Sequence, residues 1–188
     1  ALKRIAHAVS DEDLPTGGPH LGRYYGSAQP SMGERFEKLA REQFGVAHAY
    51  AVCNGTCALE AAMAAAGVEP GSQIIVPGTG FIATAMAGAI RGATVVYCDV
   101  DASLQMDPKK LEALITDKTA AIVPTHHWGF VCDMDPVLDI ATRHGIKVIE
   151  DCAQAPGASY HGRPVGSMGD LGAFSISSYK IIGGGEGG

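Results

Sequence analysis

Two residues in the last third of the sequence stand beside apolar segments and carry side chains that can do chemistry. Asp151 follows the strand-like run 147–150, and Lys180 follows the run 174–179, ahead of a cluster of glycines. A lysine amine can form a Schiff base with the aldehyde of pyridoxal phosphate, and an aspartate can keep the pyridine nitrogen protonated so that the ring accepts electrons. The pair therefore indicates pyridoxal phosphate as a cofactor, with Lys180 and Asp151 as catalytic residues.

The surroundings of both side chains leave alternatives open. An isolated carboxylate at the end of a buried strand is costly, so Asp151 needs a partner, which a pyridinium nitrogen, a metal ion or a buried arginine could supply. A lysine taken at random is a solvated surface residue. The aromatic and aliphatic residues on both sides of Lys180 nevertheless predict partial burial, which favours the neutral, nucleophilic form of its amine.

A predicted turn from a strand into a helix at residues 54–57 has the composition of a phosphate-binding site. Gly55 lets the backbone approach a phosphate, Thr56 adds a hydroxyl, and the first N–H groups of a helix attract an anion. Ser175, five residues before Lys180, could also donate to the phosphate. The alternative is a simple helix cap with a tight turn. The G-x-x-x-x-G-K-[ST] pattern of P-loops is absent.

Five further side chains fall near predicted strand ends. Gln154 could place its amide against the cofactor's phenolic oxygen or the substrate, or be a polar loop residue. Phe81 could stack on a pyridine ring, although an isolated phenylalanine is more often core. Adjacent residues on a strand project to opposite faces, so His126 and His127 make a poor metal site. We predict that these histidines and Trp128 at most line a substrate pocket, and we predict no metal.

Apolar segments and helix-like segments alternate from residue 48 onward. Strands are predicted over 48–53, 73–76, 94–100, 120–124, 146–150 and 171–176, and helices over 56–66, 81–90, 108–115 and 135–144. Continuously apolar strands separated by single helices are typical of a parallel sheet buried on both faces. We therefore predict a three-layer α/β/α fold with a mostly parallel sheet. Its ligand should lie at the carboxyl ends of the strands, where the residues above meet.

Composition excludes several classes of protein. The net charge is −6 and no basic run exceeds Lys109-Lys110, which argues against nucleic acid as a partner. Residues 70–90 are uncharged, but Pro77 and two glycines interrupt them, so they predict a strand, a loop and a helix and not a membrane span. No signal peptide opens the chain, and the five cysteines form no even-numbered framework. We expect buried, reduced thiols in a cytoplasmic protein.

The predicted organisation is an N-terminal arm over 1–30 and a cofactor-binding domain over 31–188. The first segment is rich in glycine and proline, whereas residues 31–44 show helical spacing of apolar residues. The chain begins without methionine and ends in a glycine-rich run directly after Lys180. We therefore expect the domain to be incomplete at its C-terminus, with a second half missing.

Taken together, these segments resemble the sugar aminotransferases of the DegT type, which depend on pyridoxal phosphate. The resemblance covers roughly residues 30–188 and rests on several motifs, none decisive alone. They lie at residues 54–59, 67–77, 81–85, 150–155, 166–170 and 174–188. Asn54, Cys57 and Gly80 depart from the serine, alanine and threonine common in the family at those positions, which leaves the substrate pocket uncertain.

The resemblance assigns roles to the residues singled out above. It implies that Lys180 forms the Schiff base, that Asp151 pairs with the pyridinium, that Gln154 lies near the ring oxygen and that Phe81 stacks on the ring. It also implies four phosphate-binding positions: Gly55, Thr56, Cys57 and Ser175. The implied architecture is the fold-type I aminotransferase, whose large domain precedes a small C-terminal domain that this chain lacks. The family's active site is completed by a second subunit, which implies a homodimer.

The resemblance also implies the reaction. Glutamate or glutamine would donate an amino group to a keto-sugar, expected to be nucleotide-linked, or to a cyclitol ketone, with Lys180 as the general base and acid. A sugar dehydratase on the same scaffold typically has histidine in place of the lysine, so Lys180 argues against it. A nicotinamide-dependent oxidoreductase is disfavoured because no G-x-G-x-x-G follows the first strand. A non-catalytic regulatory or sensor protein stays an alternative.

Overall fold

The structure of the protein is a computed structural model, which describes residues 30–188. These residues fall into two compact units, residues 30–51 and residues 52–188. The predicted arm over 1–30 lies almost wholly outside the described residues, so the proposed boundary at residue 30 stays a prediction.

Within the first unit, the predicted helix is present as α1 (Met32–Phe44). The sequence fixes both of its ends. Ser31 and Glu34 form a capping box, in which the Glu34 amide donates to the Ser31 hydroxyl and the Ser31 amide donates to the Glu34 carboxylate. Gly45, with φ of +64°, ends the helix in the left-handed conformation that glycine adopts without strain.

The second unit alternates strands and helices, as the sequence predicts. Its elements in chain order are α2 (Gly55–Ala65), β1 (Gln73–Pro77), α3 (Ile82–Ile90), β2 (Thr94–Cys98), α4 (Pro108–Leu111) continuing into a 3₁₀ turn (Glu112–Leu114), β3 (Thr119–Ile122), a 3₁₀ turn (His127–Gly129), α5 (Met134–His144), β4 (Lys147–Asp151), β5 (Ser159–Tyr160), β6 (Arg163–Pro164) and β7 (Leu171–Ala173).

Five of these strands form one parallel sheet in the order β2-β1-β3-β4-β7. One face of the sheet packs with α2 and α3 in a first apolar cluster that includes Leu59, Met63 and Ile74. The other face packs with α4 and α5 in a second cluster that includes Ile122 and Val137. The predicted three-layer α/β/α arrangement with a parallel sheet is therefore confirmed.

The sheet order places a crevice at one edge of the layer. The chain adds β2 on one side of β1 and then β3 on the other side, so the direction of winding reverses between β1 and β3. Ligands of open α/β sheets bind outside the carboxyl ends of the strands at such a reversal. Three residues of interest lie at this edge. Phe81 follows β1, Thr125 follows β3, and Asp151 is the last residue of β4.

One prediction of secondary structure is wrong, and one element was not predicted. Residues 48–53 form no strand; instead, the Val52 N–H and C=O bond to Gly188 at 2.9 and 3.0 Å. The short hairpin of β5 and β6 was not predicted, because two-residue strands carry no periodicity. Its turn is formed by His161 and Gly162, which both have positive φ (+50° and +80°), as a tight two-residue hairpin requires.

The buried carboxylate of Glu150 organises the connection between β6 and β7. Its Oε1 accepts hydrogen bonds from the amides of Met168 and Gly169, both at 2.7 Å. Its Oε2 accepts from the Gly166 amide at 2.9 Å and from His126 Nε2 at 3.0 Å. Burial raises the pKa of Glu150, but the His126 and amide donors outweigh it, so the pKa lies below its ordinary value.

No helix within residues 30–188 combines the length and the apolar composition needed to cross a membrane.

We expect Glu150→Gln to lower the free energy of unfolding at pH 7 by about 2–4 kcal/mol, since the amide group would face N–H donors in a buried site. The ordinary pKa of this group is 4.5, and its folded pKa is lower. The carboxylate therefore stabilises the fold above pH 4.5, and this contribution is lost as the pH falls through the folded pKa. Urea unfolding from pH 7 to pH 3 should show the variant's deficit shrinking in that acidic range.

The matched control for this prediction is Glu69→Gln, because Glu69 is exposed and its side chain makes no hydrogen bond within residues 30–188. It should change the stability by less than about 0.5 kcal/mol. An unchanged stability of Glu150→Gln would show that the four donors do not require a charged acceptor.

Candidate active site

The carboxylate of Asp151 lies at the carboxyl end of β4 and is only 3% exposed. Its Oδ2 accepts from Thr84 Oγ1 at 2.6 Å, and its Oδ1 accepts from the Ala153 amide at 3.1 Å. Among residues 30–188, no lysine, arginine or histidine forms an ion pair with it. A buried anion with two neutral donors and no cation is unfavourable by itself. A cation bound next to Asp151 would therefore stabilise this buried carboxylate.

Thr84 is a site residue that sequence reasoning missed. It lies in α3, whose nine residues read IATAMAGAI, and it carries the only polar side chain of that helix. Its hydroxyl is also 3.1 Å from the Phe81 carbonyl, but one hydrogen serves one strong bond, and the 2.6 Å contact with Asp151 is the shorter. The sequence did contain a signal for this role, namely a single hydroxyl in an otherwise apolar helix.

Phe81 and Lys180 meet at the start of α3. Phe81 is the N-cap residue of that helix, and its ring is 61% exposed, so it is not a core residue. The half-buried Lys180 places Nζ 5.8 Å from the centroid of this ring. The residues Phe81 to Thr84 thus contact Lys180 at one end and Asp151 at the other. The structure brings the two predicted catalytic residues to one short segment.

The start of α2 offers free backbone donors. Asn54 is the N-cap residue; its Oδ1 accepts from the Cys57 amide at 2.9 Å, and its carbonyl accepts from the Ala58 amide. The amides of Gly55 and Thr56 have no acceptor within residues 30–188. Of the three positions predicted to hold a phosphate here, Cys57 therefore has no free N–H, whereas Gly55 and Thr56 do.

Gly55 and Ser175 lie in direct contact. A Cβ at Gly55 would stand 2.7 Å from the Ser175 Cβ and 3.2 Å from the Phe174 carbonyl, so only glycine allows the segment after β7 to lie against the start of α2. Ser175 is 6% exposed, and its hydroxyl makes no hydrogen bond within the described part of the chain. The two free amides and this hydroxyl together form an anion-binding arrangement.

Gln154 is oriented by the loop after β3. Its Oε1 accepts from the Trp128 amide at 3.0 Å, which leaves its NH₂ group available as a donor. Trp128 has a φ of +54°, unusual for a bulky residue, and its side chain is 68% exposed. The Trp128 ring stacks on His127 with centroids 4.5 Å apart. The hydrogen bond from the Trp128 amide to Gln154, a predicted cofactor-binding residue, thus helps to keep the Trp128 backbone in this strained conformation.

His126 does not line a pocket, contrary to the prediction. It is fully buried; Nε2 donates to Glu150, and Nδ1 accepts from the Cys132 amide at 3.2 Å. Potential metal ligands do cluster here, since donor atoms of His126, Glu150 and Cys152 lie within 4.8 Å of one another. Both ring nitrogens and all strong acceptor positions of Glu150 are already occupied by protein donors, so this cluster is a structural network.

Thr125 is a second residue that the sequence did not indicate. It pairs with Asp151 across a parallel bridge and is 2% exposed. Its Oγ1 has no hydrogen-bond partner within residues 30–188. A buried hydroxyl without a partner costs free energy, so it marks a place where another molecule completes the hydrogen bonding.

Comparison with known proteins identifies a matching family and several relatives. A model of the DegT/DnrJ/EryC1/StrS aminotransferase family matches residues 27–188. The chain is 49% identical over 154 residues to the GDP-perosamine synthase of Caulobacter vibrioides, which covers 81% of this chain and 42% of that protein. It is 42% identical over 168 residues to the L-glutamine:2-deoxy-scyllo-inosose aminotransferase of Streptomyces lividus, which covers 89% of this chain and 39% of that protein.

A solved structure agrees with these relatives. The PLP form of Spr1654 from Streptococcus pneumoniae superposes with a TM-score of 0.79 at 29% identity, over 82% of this chain and 44% of that one. The chain spans about two fifths of the length of the two curated relatives that it matches.

Thr84→Val should lower the free energy of unfolding by about 1–3 kcal/mol, because it leaves the buried Asp151 carboxylate with one backbone donor. Thr84→Ser keeps the hydroxyl and should cost less than about 1 kcal/mol. A double-mutant cycle with Asp151→Asn, measured by urea unfolding, should give a coupling energy of about 1–3 kcal/mol between positions 84 and 151. A coupling energy near zero would mean that the 2.6 Å contact contributes nothing.

Proposed function

Because this chain belongs to the DegT/DnrJ/EryC1/StrS aminotransferase family, we propose that it forms the cofactor-binding part of a pyridoxal-phosphate-dependent aminotransferase. The observation that carries this proposal is the placement of Asp151 and Lys180 at opposite ends of the segment from Phe81 to Thr84. A buried carboxylate that lacks a cation and a half-buried amine are the two groups that hold this cofactor in the proposed site.

The described residues fit pyridoxal phosphate in three separate respects. Asp151 is a buried anion that needs a cation, and the protonated pyridine nitrogen is one. The free amides of Gly55 and Thr56, with the Ser175 hydroxyl, suit a phosphate group. Thr125 is a buried hydroxyl without a protein partner on the strand beside Asp151. These demands are met together by a ligand with a cationic ring and an anionic phosphate.

When bound, pyridoxal phosphate supplies an electron-accepting ring that stabilises negative charge at the carbon next to the transferred nitrogen. The Asp151 carboxylate keeps a proton on the ring nitrogen, and Thr84 fixes the orientation of that carboxylate. Lys180 Nζ would hold the cofactor covalently at rest. Once free, this amine would remove the α-hydrogen of the amino donor as a proton and later return it.

The remaining residues orient and shield the reaction. The exposed ring of Phe81 offers an apolar face against which the cofactor ring packs. The NH₂ group of Gln154, left free by its bond to Trp128, donates to the phenolic oxygen. Trp128 and His127 form a stacked aromatic pair beside Gln154, and we assign them to the acceptor side of the site.

For the substrates, we propose glutamate or glutamine as the donor and a keto-sugar, nucleotide-linked, or a cyclitol ketone as the acceptor. The names of the relatives support both acceptor classes: one is a GDP-perosamine synthase and another is an L-glutamine:2-deoxy-scyllo-inosose aminotransferase. We also propose a cytoplasmic location, which the five free cysteines support.

A homodimer is supported by an apolar stripe on α3. Ile82, Met86 and Ile90 recur every four residues and are 65%, 43% and 62% exposed. Exposed apolar residues at helical spacing mark an interface. The stripe begins next to Phe81, so a second copy packed on it would border the site. We therefore propose a second copy of this chain as the occupant.

Met86→Glu should weaken the dimer by about tenfold or more, because it places a charge in the centre of the apolar stripe. Analytical ultracentrifugation across a concentration series measures the dissociation constant. Thr142→Glu on the exposed face of α5 is the matched control and should leave the constant unchanged. A stripe covered by another part of the same polypeptide would instead give lower stability without a change in mass, which would contradict the proposal.

Lys180→Ala should abolish the covalent adduct that borohydride reduction traps between pyridoxal phosphate and the protein. Mass spectrometry of the digest should find the adduct on Lys180 in the wild type. Lys118→Ala, at an exposed lysine, should keep the adduct in full. An adduct retained by Lys180→Ala would place the reactive amine elsewhere.

Turnover separates the enzyme from a non-catalytic protein on the same scaffold. Repeated release of an oxo acid from glutamate or glutamine, beyond one equivalent per enzyme, should require a keto-sugar or cyclitol ketone and should fall to background in Lys180→Ala. Cofactor binding without any such turnover would favour the regulatory alternative.

A further inference from the structure

Two cysteines stand on either side of the predicted phosphate-binding turn. Cys53 is exposed and Cys57 is partly exposed, and their Sγ atoms are 3.3 Å apart. The other three cysteines are buried (Cys98, Cys132 and Cys152). The expectation of five buried thiols is therefore met by three of them and is wrong for the pair at the start of α2.

We propose that Cys53 and Cys57 are a reversible dithiol modification site, which a low-molecular-weight disulfide such as glutathione disulfide converts into an intramolecular disulfide across the turn 54–56. Cys57 was predicted to bind the phosphate, but its amide is capped by Asn54, and neither thiol has a role in the mechanism above. Formation of the disulfide does not depend on the proposed function, whereas its effect on cofactor binding does.

The geometry favours an intramolecular bond. A disulfide has a sulfur–sulfur length of about 2.05 Å, so the two atoms must approach by about 1.2 Å, which side-chain rotation and a small shift of the Cys57 backbone supply together. Cys53 precedes the N-cap residue of α2, and Cys57 lies in the first turn of that helix. No chain segment separates the two sulfurs, which are already in contact.

The two thiols have different roles in the reaction. Cys53 is the more accessible sulfur, it stands at the positive end of α2, and the Asn54 side-chain amide lies 3.6 Å from its Sγ. The hydrogen bond with Cys53 raises the pKa of Cys57, which therefore keeps its proton more strongly. Cys53 is thus the attacking sulfur and Cys57 the resolving sulfur.

The reaction proceeds in two exchanges. The Cys53 thiolate attacks one sulfur of glutathione disulfide, the disulfide bond breaks, and one glutathione leaves as a thiolate. Cys57 then gives its proton to solvent and attacks the Cys53 sulfur, which breaks the mixed disulfide and releases the second glutathione. The two cysteine sulfurs are oxidised, and glutathione disulfide is reduced to two thiols. In a reducing cytoplasm the dithiol form predominates until the share of glutathione disulfide rises.

The disulfide would alter the phosphate-binding turn directly. The loop that it closes contains Asn54, which caps the Cys57 amide at 2.9 Å, and the free amides of Gly55 and Thr56. A shift of Cys57 toward Cys53 moves its backbone relative to the Asn54 side chain. The free amides of Gly55 and Thr56 then no longer point toward one phosphate position. Oxidation should therefore weaken the binding of pyridoxal phosphate.

Mass spectrometry after equilibration in glutathione buffers tests the assignment. Under oxidising ratios, we expect the wild type to lose two alkylatable thiols and to yield one peptide that contains both Cys53 and Cys57 and has lost two hydrogens. The buried cysteines should stay reduced; burial raises the pKa of Cys98 to about 11 and of Cys132 to about 12, which makes both thiols unreactive. A stable glutathione adduct on the wild type, or two thiols that stay free, would overturn the proposal.

Single variants separate the two roles. Cys57→Ala should stop at a glutathione adduct on Cys53, because no resolving thiol is left, and Cys53→Ala should show almost no reaction. Phenylarsine oxide, which needs two adjacent thiols, should form a one-to-one adduct with the wild type and with neither variant. Equal reaction of Cys57→Ala and Cys53→Ala with glutathione disulfide would contradict the assigned roles.

The effect on the site is measured as the affinity for pyridoxal phosphate before and after oxidation. We expect a drop of about tenfold or more in the wild type, and no change in Cys53→Ala/Cys57→Ala treated in the same way. Unchanged affinity in the oxidised wild type would overturn the proposed effect on the turn. If the reduced protein does not bind pyridoxal phosphate at all, the proposed function fails, while the mass measurement still decides the modification.

Discussion

The buried carboxylate of Asp151 is the constraint on which the rest of the site depends. A charge that is 3% exposed is tolerated only where donors and a cation surround it, and residues 30–188 supply only two neutral donors. Its placement at the end of a central parallel strand fixes its position, while Thr84 on α3 fixes its orientation. The carboxylate still needs a cation, and in the proposed function the protonated ring of pyridoxal phosphate supplies it.

Two adjacent acids on β4 differ in the number of hydrogen bonds that their carboxylates accept, and this difference separates a structural residue from a candidate site residue. Glu150 and Asp151 are both buried, and they point to opposite faces of the sheet. Glu150 accepts four hydrogen bonds from His126 and three amides, so it has no capacity left for a ligand. Asp151 accepts two and has no cationic partner among the described residues. One side chain therefore stabilises the fold, and its neighbour keeps acceptor capacity for a ligand.

The alternation of strands and helices was predictable because buried parallel strands are continuously apolar, and each of the four helices predicted after residue 48 is present within a few residues. The strand predicted over 48–53 failed because an apolar run does not specify its hydrogen-bond partner, and Val52 pairs with Gly188. The prediction that His126 lines a substrate pocket failed for a related reason. A histidine at a strand end can face either side of the sheet, and only the position of Glu150 decides that it is buried in a structural network.

The sequence by itself determined the residue types of the site, the order of the elements that carry them, and their convergence at the carboxyl ends of the strands. Periodicity and strand direction are local properties, so they can be derived without coordinates. Only the tertiary structure decided that Thr84 and Thr125 adjoin Asp151, that the Cys57 amide is already capped, and that Cys53 and Cys57 are in contact. These are pairings between groups whose distances depend on packing and side-chain rotation, and a single sequence does not encode them in any readable pattern.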